Sequence, residues 1–132
     1  MTGSSSLQRF APHALAALRI MAALLFIAHG TQKLLGFPAP PSSGTLPAAF
    51  TMAWTAGMLE LFGGLLVLVG LFTRPVAFVL SGLMAFAYFL AHAPRSFYPV
   101  LNGGDAAILF CFVFLYLVFA GPGSLSIDGR RR

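Results

Sequence analysis

The chain has little charge and almost no acid. Only 8% of its 132 residues are Asp, Glu, Lys or Arg, and just three of them are acidic, against about 25% charged residues in an ordinary soluble domain. The only cysteine is Cys111, which excludes a disulfide scaffold; it sits in the apolar run from Ile108 to Phe119 and reads as a small hydrophobe. Low charge combined with high hydrophobicity excludes disorder. There is no Cys-x-x-Cys, Cys-x-x-Cys-His, P-loop or Gly-x-Gly-x-x-Gly pattern, so the motifs of haem attachment and of nucleotide or dinucleotide binding are missing. No metal is expected, because His29, His92, Glu60 and Asp105 lack the local spacing of a zinc motif.

What the chain does have is apolar surface. Apolar residues make up 58%, among them 14 phenylalanines. A chain this short has too little interior to hide them from water, so its solvent must be lipid. The formal net charge of +5 comes from eight basic residues scattered between apolar runs, not from a stripe on one face, and nucleic acid is not expected as a partner.

Crossing about 30 Å of hydrocarbon takes roughly 20 apolar residues of helix, which satisfies its own backbone. Four segments qualify, at about 14–35, 48–72, 75–93 and 105–120, the last being the shortest. Breakers separate them: the loop Gly36-Phe37-Pro38-Ala39-Pro40-Pro41-Ser42-Ser43-Gly44, the turn Thr73-Arg74-Pro75, the loop from Pro94 to Gly104, and Gly121-Pro122-Gly123. Prolines lack the N–H a helix interior needs, and Pro75 suits a first helical turn. The expected class is all-α, an integral membrane four-helix bundle. Residues 1–13 form an N-terminal segment, 14–121 the spanning domain and 122–132 a tail.

With an even number of spans both termini share a side. That side holds Arg9, Arg19, Arg74 and Arg130 to Arg132, while the other holds Lys33 and Arg95. The excess of basic residues predicts cytoplasmic termini in a bacterial inner membrane. A cleaved signal peptide fits poorly, since Arg19 interrupts the apolar region.

Ionisable groups inside spans cost about 2.5–3.5 kcal/mol each on insertion scales and face a partner or a wet cavity. Glu60 lies mid-span and is too short to reach the surface, so it should point into the bundle and needs a partner or a proton. Gly57, Glu60 and Gly64 recur at i, i+3 and i+7, a face that lets another helix approach closely. Arg19 either reaches the headgroups or forms an internal structural ion pair. His29 and Lys33, at i, i+4, should meet His92 and Arg95, at i, i+3, towards the opposite end. Asp105 follows Asn102-Gly103-Gly104 and is placed to cap the fourth helix, with pairing to Arg95 or Lys33 left open. The pattern Met-Ala-x-x-x-Phe-x-Ala-His at Met21 to His29 returns at Met84 to His92 with an offset of 63 residues, which suggests two helical hairpins related by an axis along the membrane normal.

These residues together resemble the DoxX family of small four-helix bacterial membrane proteins. The likeness runs from Leu18 to Asp128: Arg19, His29-Gly30-x-x-Lys33, Glu60-x-x-Gly63-Gly64, Gly70-Leu71-x-Thr73-Arg74, Met84, His92, Asn102-Gly103-Gly104, Gly121-Pro122-Gly123 and Ser126-x-Asp128. The resemblance implies a four-helix bundle and points to Arg19, His29, Lys33, Glu60, Arg74, His92 and Asn102, with Gly63, Gly64 and Gly121 serving packing and helix ends. Some relatives look like membrane subunits of quinone-linked oxidoreductases, the DoxD-type subunit of thiosulfate:quinone oxidoreductase among them, and others are associated with thiol systems.

The leading expectation is therefore a membrane subunit of a quinone-linked or thiol-linked redox system. Glu60, His29 and His92 would be its catalytic groups, and Lys33, Arg95, Asn102 and Asp105 its substrate-binding groups. Quinone is the candidate ligand, no cofactor is held covalently, and a partner subunit or external reductant supplies the electrons. A non-catalytic accessory subunit or homo-oligomer is the first alternative, and a small-solute carrier the second.

Overall fold

The computed structural model describes residues 3–131, so Met1, Thr2 and Arg132, one of the three terminal arginines counted above, lie outside it. The described residues form helices and no strand. A short helix α1 (Gly3–Gln8) leads into α2 (Ala11–Leu35), the first span. The second is α3 (Met52–Val69) and the third α4 (Thr73–Arg95). After the single turn α5 (Pro99–Asn102) comes α6 (Asp105–Ala120), and α7 (Ile127–Arg130) closes the tail. Three of the helices are long and apolar enough to cross a bilayer. At 16 residues α6 is about 24 Å long, short of the hydrocarbon thickness of about 30 Å.

The helix ends have local causes. In the second span helix begins at Met52, because the Thr51 hydroxyl accepts a bond from Trp54 N at 3.3 Å and caps it there. It stops at Val69 because Gly70 turns left-handed at φ 68°, which glycine adopts without steric cost.

Side-chain contacts fix the directions. Gly64 lies against Ile27 and Gly57 against Lys33 and Leu34, so α2 and α3 run antiparallel. The Ser81 hydroxyl donates to Cys111 O at 2.8 Å and Arg74 reaches Val118 and Phe119, so α4 and α6 do the same. These two hairpins are the most closely packed units, and α2 touches α6 only lightly. Between them Phe26 meets Phe114 edge-on at 4.9 Å, amid Val67, Leu80, Met84 and Leu117. Only 22–28% of the most apolar stretch of each long span is buried, which a lipid solvent permits and water would not.

The match between the first and third spans is not a repeat of packing. Met21 is 57% exposed and Met84 6%, while Phe26 is 1% exposed and Phe89 68%. Ala16, Arg19, Ala23 and Phe26 set the buried face of α2, and Ala77, Leu80 and Met84 that of α4. The matched methionines and phenylalanines therefore lie on opposite faces of their helices.

At the end that holds both termini, the tail is clasped by polar bonds. Arg19, fully buried, donates through Nη1 to Pro122 O and to Ser124 O at 3.2 Å, and through Nη2 to Leu125 O at 2.8 Å. The ion pair expected for Arg19 is replaced by backbone carbonyls. The turn after α6 leaves those carbonyls without helical donors, and they lie at the negative end of the helix dipole. Arg74 Nη1 takes Val118 O at 2.8 Å and Phe119 O at 2.6 Å in the same way. Asp128 accepts from Phe72 N at 3.0 Å and Thr73 N at 2.9 Å, capping α4 across the chain. Partial burial pushes the Asp128 carboxyl upward, but the N–H groups of Thr73 and Phe72 and the charge of Arg131 outweigh it and hold the group below its ordinary 3.8.

Two outcomes follow. A Cβ at Gly30 would lie 2.6 Å from Leu61 N and 3.0 Å from Gly57 O. Backbone cannot yield as a side chain does, so Gly30→Ala should lower stability by about 1–3 kcal/mol in detergent unfolding, and an unchanged midpoint would count against this helix contact. Because the folded carboxyl of Asp128 lies below its unfolded value, its contribution is present above pH 3.8 and fades as pH falls through the folded value. The stability gap between wild type and Asp128→Asn should be about 1 kcal/mol near neutrality and shrink in acid, read from melting curves at both pH values.

Candidate functional site

At the opposite end of the bundle the four main helices leave a cavity of about 290 Å³, lined by His29 and Lys33 from α2, Glu60 from α3, His92 from α4 and Phe110 from α6. Glu60 is 3% exposed, and Lys33 Nζ lies 2.6 Å from Oε1 and 2.8 Å from Oε2. One ammonium therefore answers both carboxylate oxygens. The pairing depends on the close approach of α2 and α3: a Cβ at Gly57 would come within 3.0 Å of Lys33 Cβ. Around Glu60 the helix widens into a π-helical turn over Leu59–Gly63, a local rewinding that recurs at functional sites.

A second π-helical turn, Tyr88–His92, carries the histidine of α4. Ala93 N donates to Tyr88 O, five residues back, and Pro94 has no N–H to restore the regular ladder. His92 Nδ1 is 3.1 Å from Asn102 O. A carbonyl only accepts, so Nδ1 carries the hydrogen, and in the neutral ring Nε2 is left as an acceptor. The Tyr88 ring stacks on His92 with centroids 6.4 Å apart.

Asn102 organises this loop. Buried to 1% exposure, it donates from Nδ2 to Tyr88 Oη at 3.2 Å and Ser96 O at 3.0 Å, and accepts from Gly104 N at 2.8 Å. Its side chain is committed to the protein, and its contribution to the cavity comes through the carbonyl that orients His92. His29 is exposed and set edge-on to Phe110 at 6.0 Å, at the margin of the cavity.

Of the residues singled out from sequence, the structure brings His29, Lys33, Glu60 and His92 together around one space. Arg95, Asn102 and Asp105 do not line it. Arg95 is exposed in the tight turn beyond Pro94. Asp105 is exposed at the first position of α6 with no side-chain cap bond; its charge still favours the positive helix end, but the polar side chain bonded at this helix start is Asn102. Lys33, expected to receive an anionic substrate, is engaged with Glu60. Sequence reasoning missed Tyr88 and Phe110. Tyr88 stands at i, i+4 to His92, which was a readable signal; Phe110 was indistinguishable among the phenylalanines of α6.

A family model described as DoxX matches residues 14–93. An uncharacterized protein of Haemophilus influenzae is 42% identical over 129 residues, covering 96% of each chain. The inner membrane protein YphA of Escherichia coli is 29% identical over 125 residues, 85% of this chain and 86% of its own. An uncharacterized membrane protein of Mycobacterium tuberculosis is 26% identical over 134 residues, 90% of this chain and 82% of its own. No solved structure matches. The matched region contains the whole Lys33–Glu60 pair and both cavity histidines, and the chain belongs to the DoxX family of membrane proteins.

Proposed function

We propose that this membrane protein is the quinone-binding subunit of a redox system in the bacterial inner membrane, with both termini in the cytoplasm. The observation that carries the reading is the shared cavity of Lys33, Glu60 and His92, walled by apolar side chains including Met84 and Phe110. A quinone needs an apolar slot for its ring and a few polar groups at its oxygens. Its reduction adds two electrons and two protons to give the quinol, and the reverse reaction releases them. The electrons come from a partner subunit or an external reductant. His92, with Nδ1 committed to Asn102, accepts a quinol hydroxyl proton at Nε2 when neutral and returns it as imidazolium. The one N–H of Lys33 left over from its two bonds to Glu60 donates to the other oxygen, and Glu60 exchanges a proton with the cavity. The basic residues clustered towards the termini and the inner membrane relative support the orientation and the location.

Two measurements test this. Lys33→Met strands a carboxylate in the bundle and should cost about 3–5 kcal/mol of stability. The double variant Lys33→Met with Glu60→Gln should regain most of that loss, since no charge is left unpaired. For activity, Glu60→Gln in the protein purified with its native partners should cut quinone reduction roughly 10²-fold while retaining bound quinone. Undiminished turnover would remove Glu60 from the proton path.

A further inference from the structure

Two long apolar grooves face the lipid. One, of about 420 Å³, lies between α3 and α4, and no polar side chain lines it. The other, of about 480 Å³, runs between α2 and α6, and there one polar side chain, His29, stands among Leu25, Ala28, Ala106 and Leu109. His29, Ala106 and Phe110 also line the polar cavity, so groove and cavity share a wall. The groove has a sequence cause: Ala28 on α2 and Ala106 on α6 are too small to fill the space between two helices that touch only lightly.

Building on the quinone reading above, we infer that the α2–α6 groove is the lateral portal and tail site of a prenylated quinone, whose head enters the cavity past His29 while its isoprenoid chain stays against Leu25 and Leu109. An amphiphile with a flat polar head and a long apolar chain fits two adjoining spaces of opposite character. A small polar solute would have no use for the groove, and a fully apolar lipid none for the cavity. His29 stands where head and chain would join and is paired only with the edge of Phe110, so its ring nitrogens are free to bond a quinone oxygen on the way in.

The test uses the full chain in nanodiscs with two photoreactive prenylquinones, one labelled on the head and one on the last isoprene unit. The tail probe should mark residues 18–29 and 106–113, the head probe should mark the cavity, and unlabelled quinone should displace both. Ala28→Phe and Ala106→Phe should each reduce displaceable tail labelling about tenfold. A tail-less quinone from water should still bind those variants, which shows them folded. If the head marks the cavity while the tail marks the α3–α4 face, or if the phenylalanine variants label fully, the portal is refuted and the quinone reading stands. If neither probe is displaceable, the quinone reading fails and the portal with it.

Discussion

A carboxylate placed midway through hydrocarbon must find a cation or lose its charge, and the rest of this structure is arranged around that demand. Glu60 meets Lys33 through both oxygens. The same two helices approach closely, and glycines stand at positions 30 and 57, where a Cβ would strike backbone or the Lys33 stem. Phe26, one turn from Gly30 on the same helix, carries the aromatic contact to α6. The ion pair and the glycine contacts thus belong to one and the same packing of α2 against α3.

Polar groups at the two ends of the bundle are used differently. At the terminal end Arg19 and Arg74 spend their guanidinium groups on carbonyls left open by the end of α6, and Asp128 spends its carboxylate on the open N–H groups of α4. The end of α6 and the start of α4 are thus answered by side chains distant in sequence, so these residues behave as caps. At the other end Asn102 is equally committed, but it leaves His92 with one nitrogen in hand, beside an ion pair and an open volume. Spare hydrogen-bonding capacity next to empty space is what a ligand site requires, and at the Glu60 end it comes together with an ion pair and an apolar wall.

The fold was legible because lipid-crossing helices write themselves as apolar runs and their ends as Gly and Pro. The need of Glu60 for a partner was legible too, from its depth and short side chain. Its choice of Lys33 was not, because His29 and Lys33 sit at i, i+4 and read as one outward-looking pair until the register of α2 against α3 is known. Arg19 was harder still. An acid can be searched for in a sequence, whereas the carbonyls of Pro122, Ser124 and Leu125 carry no letter that marks them as acceptors. The π-helical turns escaped for a related reason: they depend on how the backbone ladder is satisfied at Glu60 and before Pro94, and residue type alone does not specify that.

The groove between α2 and α6 illustrates what lipid changes about packing. In water, two helices lined with Leu and Ala would close upon each other, because every exposed methylene carries a free-energy penalty. In a bilayer the acyl chains are as apolar as leucine, so nothing squeezes the helices together, and association relies on shape and on polar bonds. Where alanines line the space between two helices, as Ala28 and Ala106 do along this groove, a gap persists at little cost. The aromatic cluster of Phe26, Phe110 and Phe114 keeps the helices joined nearby. A cavity with an ion pair inside it can therefore open sideways to the membrane without endangering the fold, since Glu60 and Lys33 are held by each other and not by the closure of that gap.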